Sequence, residues 1–262
     1  MTGSAPAVHR YGREASQFGH LSVPETPPPH PVVVLLHGGF WHLPWGLELM
    51  SGAVRALVAS GAAVWNLEYR RVGEPGGGWP GTFNDVLAGF DALARLPGAA
   101  DLDLSSVGVA GHSAGGHLAL WLGAERGPLS AGPVKLARVA GLAPVADLRA
   151  AWRDGVGGSA IEALLGGTPS RHPERYSAAS PVERLPTGVD QLVVHGARDR
   201  VVPAELSRSY ARAAEAAGDR VALEVVPRTG HMDVIDPKSR AWKITAEWLV
   251  GAWDPSAHGK IE

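Results

Sequence analysis

Near the middle of the chain, Gly111-His112-Ser113-Ala114-Gly115 sets a serine between two glycines at the spacing G-x-S-x-G. The preceding residues, Val107-Gly108-Val109-Ala110, read as a strand, and 114–124 reads as a helix, so the serine falls on a strand-to-helix turn. A turn that sharp brings backbone atoms close together. Glycine at 111 and 115 leaves free the space a Cβ would fill, and the serine hydroxyl is pushed out over the sheet. The chemistry implied is nucleophilic acyl transfer, and it needs a base, because a serine hydroxyl is a poor nucleophile at neutral pH.

Eleven histidines are available. His231 stands near the end of the chain, after a strand at 221–226 and the short loop Pro227-Arg228-Thr229-Gly230, where a base that follows serine and carboxylate in chain order belongs. His112 and His117 flank the serine but leave the turn in other directions and read as packing residues or as support behind the site. His195 ends a strand, and His9, His20, His30, His172 and His258 lie in arms or loops. The carboxylate that orients the base is expected after the preceding strand, where Asp199 follows Val193-Val194-His195-Gly196-Ala197-Arg198. Asp147 and Asp233 compete with it but lack its place in the order, and a helix-capping aspartate is the plain structural alternative. A third feature, His37-Gly38-Gly39-Phe40-Trp41, ends an apolar run at 32–36. Backbone N–H groups aimed at a developing oxyanion are worth about 2.7–4 kcal/mol each. The expected donors are Gly39, Phe40 and Ala114, with Gly38 the alternative to Phe40.

These residues need a scaffold, and the pattern around them supplies one. Strands at 32–36, 62–67, 107–110, 139–143, 191–195 and 221–226 alternate with helices at 47–58, 83–96, 114–124, after Pro203 and after Asp236, where Asp236 is placed to cap and Pro237 to take the first helical position. Continuous apolar runs dense in β-branched residues belong to strands buried on both faces, so the expected fold class is α/β, a mostly parallel sheet covered by helices on both sides. The 262 residues fit one domain, with a proline-rich extended arm at 1–31 holding at most a short edge strand at 18–23. Between two strands, 144–188 holds helical pieces at 147–152 and 161–165 broken by glycine and proline, and reads as a small lid insertion.

Composition narrows the partners. A net charge of -2 and a pI near 6.6 give no basic excess for nucleic acid or an anionic membrane surface, so a small-molecule substrate is expected. The absence of cysteine excludes disulfides, thiolate metal sites and cysteine nucleophiles. No histidine and carboxylate cluster has metal-ligand spacing, and no cofactor is expected. Nothing reads as a signal peptide or a membrane span, so the expectation is a cytoplasmic protein, with a homodimer left open.

Taken together, His37-Gly38-Gly39-Phe40-Trp41 and Gly111-His112-Ser113-Ala114-Gly115-Gly116-His117 resemble the kynurenine formamidases and related small esterases of the α/β-hydrolase superfamily. Asn66-Leu67-Glu68-Tyr69-Arg70 and Gly76-Gly77-Gly78-Trp79-Pro80 are similar to the segment between oxyanion loop and elbow in such proteins, and Phe40 in place of a third glycine departs from lipase-type loops. The resemblance implies an α/β-hydrolase fold, a Ser113–His231–Asp199 triad and hydrolysis of the formyl amide of N-formyl-kynurenine, with a carboxylesterase on short-chain or aryl esters as the alternative. A catalytically inactive binding protein of the same fold is the more distant one. An aromatic leaving group would suit a pocket walled by Trp41, Trp79 and Trp152, with Trp45 a further candidate, and Arg70, Arg71, Arg149 or Arg153 would bind a substrate carboxylate.

Overall fold

The computed structural model describes residues 6–127 and 130–251. Its strands are β1 (Ala7–Arg10), β2 (Phe18–Ser22), β3 (His30–Leu36), β4 (Ala63–Leu67), β5 (Leu102–His112), β6 (Leu136–Leu142), β7 (Asp190–Gly196) and β8 (Val221–Val226). They form one sheet in the order β1-β2-β4-β3-β5-β6-β7-β8, in which β1 and β2 run antiparallel to their neighbours and the other six are parallel. The helices are α1 (Ser51–Ala59), α2 (Gly81–Asp91), α3 (Ala114–Glu125), α4 (Leu148–Arg153), α5 (Ala160–Leu165), α6 (Pro173–Ala179), α7 (Ala204–Ala216) and α8 (Arg240–Leu249).

The two-residue period of a strand explains why both faces are covered. β3 sends Val32, Val34 and Leu36 into one core, shared with Phe83 and Phe90 of α2, Leu118 of α3 and Tyr210 of α7. Val33 and Leu35 point the other way, to Leu57 of α1 and Trp242 and Trp248 of α8. This is the α/β-hydrolase fold, and the sheet's parallel strands bring the turns after β3, β5, β7 and β8 to one edge.

Three sequence expectations change. The arm carries a second strand, β1, whose side chains are mostly exposed; it is held by its ladder to β2 and has no apolar pattern to announce it. The last helix begins at Arg240 rather than at Pro237. Ser239 caps it, accepting from Trp242 N at 3.0 Å, while Asp236 accepts from Lys238 N in the turn before. Both residues are good caps, and the apolar face of Ala241, Ile244 and Trp248 starts after the second of them. The stretch 144–188 holds one more helix than expected, α6, and it is packed into the molecule: Ile161, Leu164 and Tyr176 belong to the α2–α3 core. Residues 1–5 of the arm and His258 lie outside the described residues.

Candidate active site

Ser113 occupies the single position between β5 and α3, with φ +55° and ψ −115°. A non-glycine residue in that conformation is strained and persists only where its surroundings hold it. Ser113 N donates to Leu142 O at 2.7 Å, and β5 and α3 fix either side. A Cβ on Gly111 would stand 2.0 Å from Gly115 O, and one on Gly115 would stand 2.2 Å from Leu36 O and 2.4 Å from His37 O. Both glycines are therefore steric requirements of the turn, as their spacing predicts.

Asp199 and His231 come from the loops after β7 and β8 and meet: His231 Nδ1 lies 2.6 Å from Asp199 Oδ2, whose side chain has no solvent exposure. Asp199 Oδ1 accepts from Val201 N at 2.8 Å and Val202 N at 2.9 Å, and His195 Nε2 lies 3.2 Å from Oδ2. Burial by itself would raise this carboxyl, but the hydrogen bonds of His195, His231 and the two backbone N–H groups outweigh it and hold Asp199 well below the usual carboxylate range. The competitors are engaged elsewhere. Asp147 caps α4 by accepting from Ala150 N, and Asp233 accepts from Gly230 N at 2.7 Å. Asp199 is not the cap of α7, which begins after Pro203 without a side-chain cap.

The serine turn and the His231 loop are joined by His112. Its Nε2–H donates to His231 O at 3.0 Å, and its ring centroid lies 4.6 Å from that of His231. Burial first, and then the neighbouring His231, pushes His112 down to about 3, so it is a neutral donor at working pH. His117, on α3, is pushed down by burial to about 4 despite its bond to Ala179 O. It accepts from the Trp41 indole N–H at 3.2 Å on one nitrogen and donates to Ala179 O at 2.9 Å from the other.

The loop after β3 runs Gly39, Phe40, Trp41 at φ +108°, +51° and +59°. Gly38 lies against the serine: a Cβ there would be 3.3 Å from Ser113 Cβ and 2.9 Å from His112 Nδ1. Among the described residues, the N–H groups of Gly38, Gly39, Phe40 and Ala114 have no acceptor. Behind the loop stands Glu68, a residue the spacing did not single out. It takes His37 Nε2 at 2.8 Å, Leu47 N at 3.0 Å and Tyr69 N at 3.0 Å. Arg71, paired with Glu74, reaches Trp45 O at 2.6 Å and Glu68 at 3.5 Å. Burial works to raise the Glu68 carboxyl, but His37, Arg71 and the Tyr69 N–H bring it below its ordinary value. Glu68 thus ties the two ends of the 37–47 loop together.

The expected aromatic wall is corrected. Trp41 has no solvent exposure: its ring meets His117 of α3 edge-on and spends its N–H on that imidazole. Trp79 is half-buried edge-on to Phe83, and Trp152 is half-buried with its N–H on Glu162. Trp45 is the open one, 50% exposed and packed over Gly39. The four arginines are all paired: Arg70 with Asp85, Arg71 with Glu74, Arg149 with Glu183 and Arg153 with Asp154. Among the described residues no helix is long and apolar enough to cross a membrane, and no group of three or more His, Asp or Glu is placed to hold a metal ion.

The fold and the meeting of these loops define an α/β-hydrolase. Residues 21–213 match the BD-FAE family model, and the chain belongs to that family of α/β-hydrolase esterases. It is 29% identical over 258 residues to esterase LipC of Mycobacterium tuberculosis, which covers 87% of this chain and 61% of LipC, so the chain spans under two thirds of that relative. Among solved structures, the fold is similar to an acetyl ester-xyloside bifunctional hydrolase from Caldicellulosiruptor lactoaceticus, with TM-score 0.77, 20% identity and coverage of 97% and 100% of the two chains. Esterase B from Lactobacillus rhamnosis gives TM-score 0.77 at 20% identity over 99% of this chain and 91% of that one. The BD-FAE match takes the place of the kynurenine formamidase resemblance as the ground for reasoning about substrate.

Proposed function

We propose that the chain is a carboxylesterase acting on small short-chain or aryl esters, with Ser113 as nucleophile, His231 as general base and Asp199 as its orienting carboxylate. The observation that carries this is the 2.6 Å contact between His231 Nδ1 and the buried Asp199, delivered beside a strained serine turn. His231 Nε2 takes the Ser113 hydroxyl proton as Oγ attacks the ester carbonyl, and the carbonyl electrons move to oxygen. The oxyanion is received by the free N–H groups of Gly39, Phe40 and Ala114, with Gly38 as the alternative to Phe40. His231 then gives its proton to the departing alkoxide, and water, deprotonated by the same imidazole, releases the acid from the serine. Trp45 and Phe40 line the approach, and the 144–188 stretch, through Gly157 against the Phe40 ring, bounds it as the lid.

A formamide would pass through the same steps, but membership of an esterase family and relatives named as esterases favour the ester. The test is kcat/KM on a p-nitrophenyl ester series beside N-formyl-kynurenine, for wild type and Ser113→Ala. We expect acetate or butyrate esters to be the best substrates and Ser113→Ala to lose roughly four to six orders of magnitude in kcat. A formamide hydrolysed as well as the best ester restores the formamidase assignment, and an unaffected Ser113→Ala removes the serine mechanism.

A further inference from the structure

The steps above leave His195 unused. It lies in the last turn of β7, its side chain is wholly buried, and both ring nitrogens are engaged: Nε2 lies 2.9 Å from Val202 O and 3.2 Å from Asp199 Oδ2, and Nδ1 lies 2.7 Å from Ser207 Oγ on α7. A carbonyl and a carboxylate can only accept, so Nε2 carries the hydrogen, and the Ser207 hydroxyl is then free to donate to a bare Nδ1. The Nε2 hydrogen has its shorter partner in Val202 O, and the same nitrogen also lies within reach of the carboxylate oxygen that receives His231, an approach that a histidine merely filling this corner of the core would not need.

We propose that His195 is a positioning residue for Asp199: its Nε2–H binds Oδ2 beside His231 Nδ1–H, fixing where that oxygen lies and how much of its charge His231 receives. This rests on the assignment of Asp199 and His231 as carboxylate and base. Oδ1 is saturated by the backbone of Val201 and Val202, so His195 and His231 are the two side chains that divide Oδ2. Without the His195 donor, more of the carboxylate's charge falls on His231, and its imidazolium is stabilised relative to the free base. The other titratable groups facing His231 are His112, a neutral donor to its carbonyl, and Asp233, turned to Gly230 N. The backbone donors remain in a His195 variant, so Asp199 stays ionised.

The test is the pH profile of kcat/KM on p-nitrophenyl butyrate for wild type, His195→Leu and His195→Gln. We expect the acid limb of His195→Leu to move up by about half a pH unit or more, and that of His195→Gln, whose amide N–H can reach Oδ2, to lie between it and wild type. A folded, active His195→Leu with the wild-type acid limb overturns the proposal and leaves His195 a packing residue. If His195→Leu does not fold, long-range proton–nitrogen correlation spectra of the wild type decide. An Nδ1–H tautomer, which has no hydrogen to offer Asp199, overturns the proposal; because Val202 O also accepts from Nε2, an Nε2–H tautomer supports it only together with an acid limb of His195→Gln above that of wild type, and a wild-type limb there overturns it. Fluorophosphonate labelling of the same wild-type sample separates the two levels: absence of label at Ser113 removes the triad assignment, whereas the tautomer and the His195→Gln acid limb together report on the His195–Asp199 contact.

Discussion

The serine turn at 111–115 and the loop at 37–47 both force the chain through backbone conformations that side chains resist, and they are held in different ways. At the serine turn the tightest points are glycines, and the atoms that forbid a Cβ there belong to the turn itself and to the end of β3. In the 37–47 loop two of the three residues at positive φ are Phe40 and Trp41, which glycine cannot relieve. That loop is held from outside, by Glu68 on His37 and Leu47 N, by Arg71 on Trp45 O, and by His117 on the Trp41 indole. Where glycines clear the close approaches around a strained residue, the support is local. Where bulky residues carry the strain, stability is borrowed from charges and rings far away in the chain.

The sharpest way to break this contrast is Gly115→Ala. Its Cβ meets the backbone oxygens of Leu36 and His37, which cannot swing aside, so we expect a loss of more than about 4 kcal/mol in urea unfolding, or no folded protein at all. A variant near wild-type stability would show that the turn is not held by sterics. Next comes Glu68→Gln, which removes the carboxylate that receives His37, Leu47 N and Tyr69 N. The expected cost is roughly 1–3 kcal/mol of stability, since buried donors lose a charged acceptor. Because oxyanion donors act in the transition state, kcat should fall about tenfold or more with KM little changed. Unchanged kcat in a folded Glu68→Gln would detach the charge cluster from the loop's function.

The most gradual effect concerns His112 and His117, one at the serine turn and one serving the loop through Trp41. Their folded values, about 3 and about 4, lie below the ordinary 6.5, so the unfolded chain takes up protons first as pH falls. Their contribution is fully present above 6.5 and is lost below it, down to about 4 for His117 and about 3 for His112. Each contributes a slope of about 1.4 kcal/mol per pH unit in that window. Urea midpoints measured through the window should fall accordingly, and His117→Gln should flatten the slope by about one proton.

The same contrast sets what could be read before the structure. Gly111, Ser113 and Gly115 were legible because the forces on that turn act within five residues. The meeting of Asp199 with His231 was legible through chain order, since parallel strands bring successive loops to one edge. Glu68 was not, because its partners at 37, 47 and 71 are distant, and nothing in Asn66-Leu67-Glu68-Tyr69 distinguishes a buried carboxylate from a surface one. Trp41 was misplaced for a related reason: a tryptophan in a glycine loop looks open until α3 is laid over it. Of the capping pair near the last helix, Asp236 and Ser239 are equivalent by residue type, and only the onset of the apolar face chooses between them.

His117 links three parts at once: Trp41 of the 37–47 loop, its own helix behind the serine, and Ala179 at the end of α6. Swinging the 144–188 segment away would strip a buried ring of a partner and pull on the loop beneath it. Two hydrogen bonds therefore couple the 144–188 segment to the loop after β3, so a change in either reaches the other through a single imidazole ring.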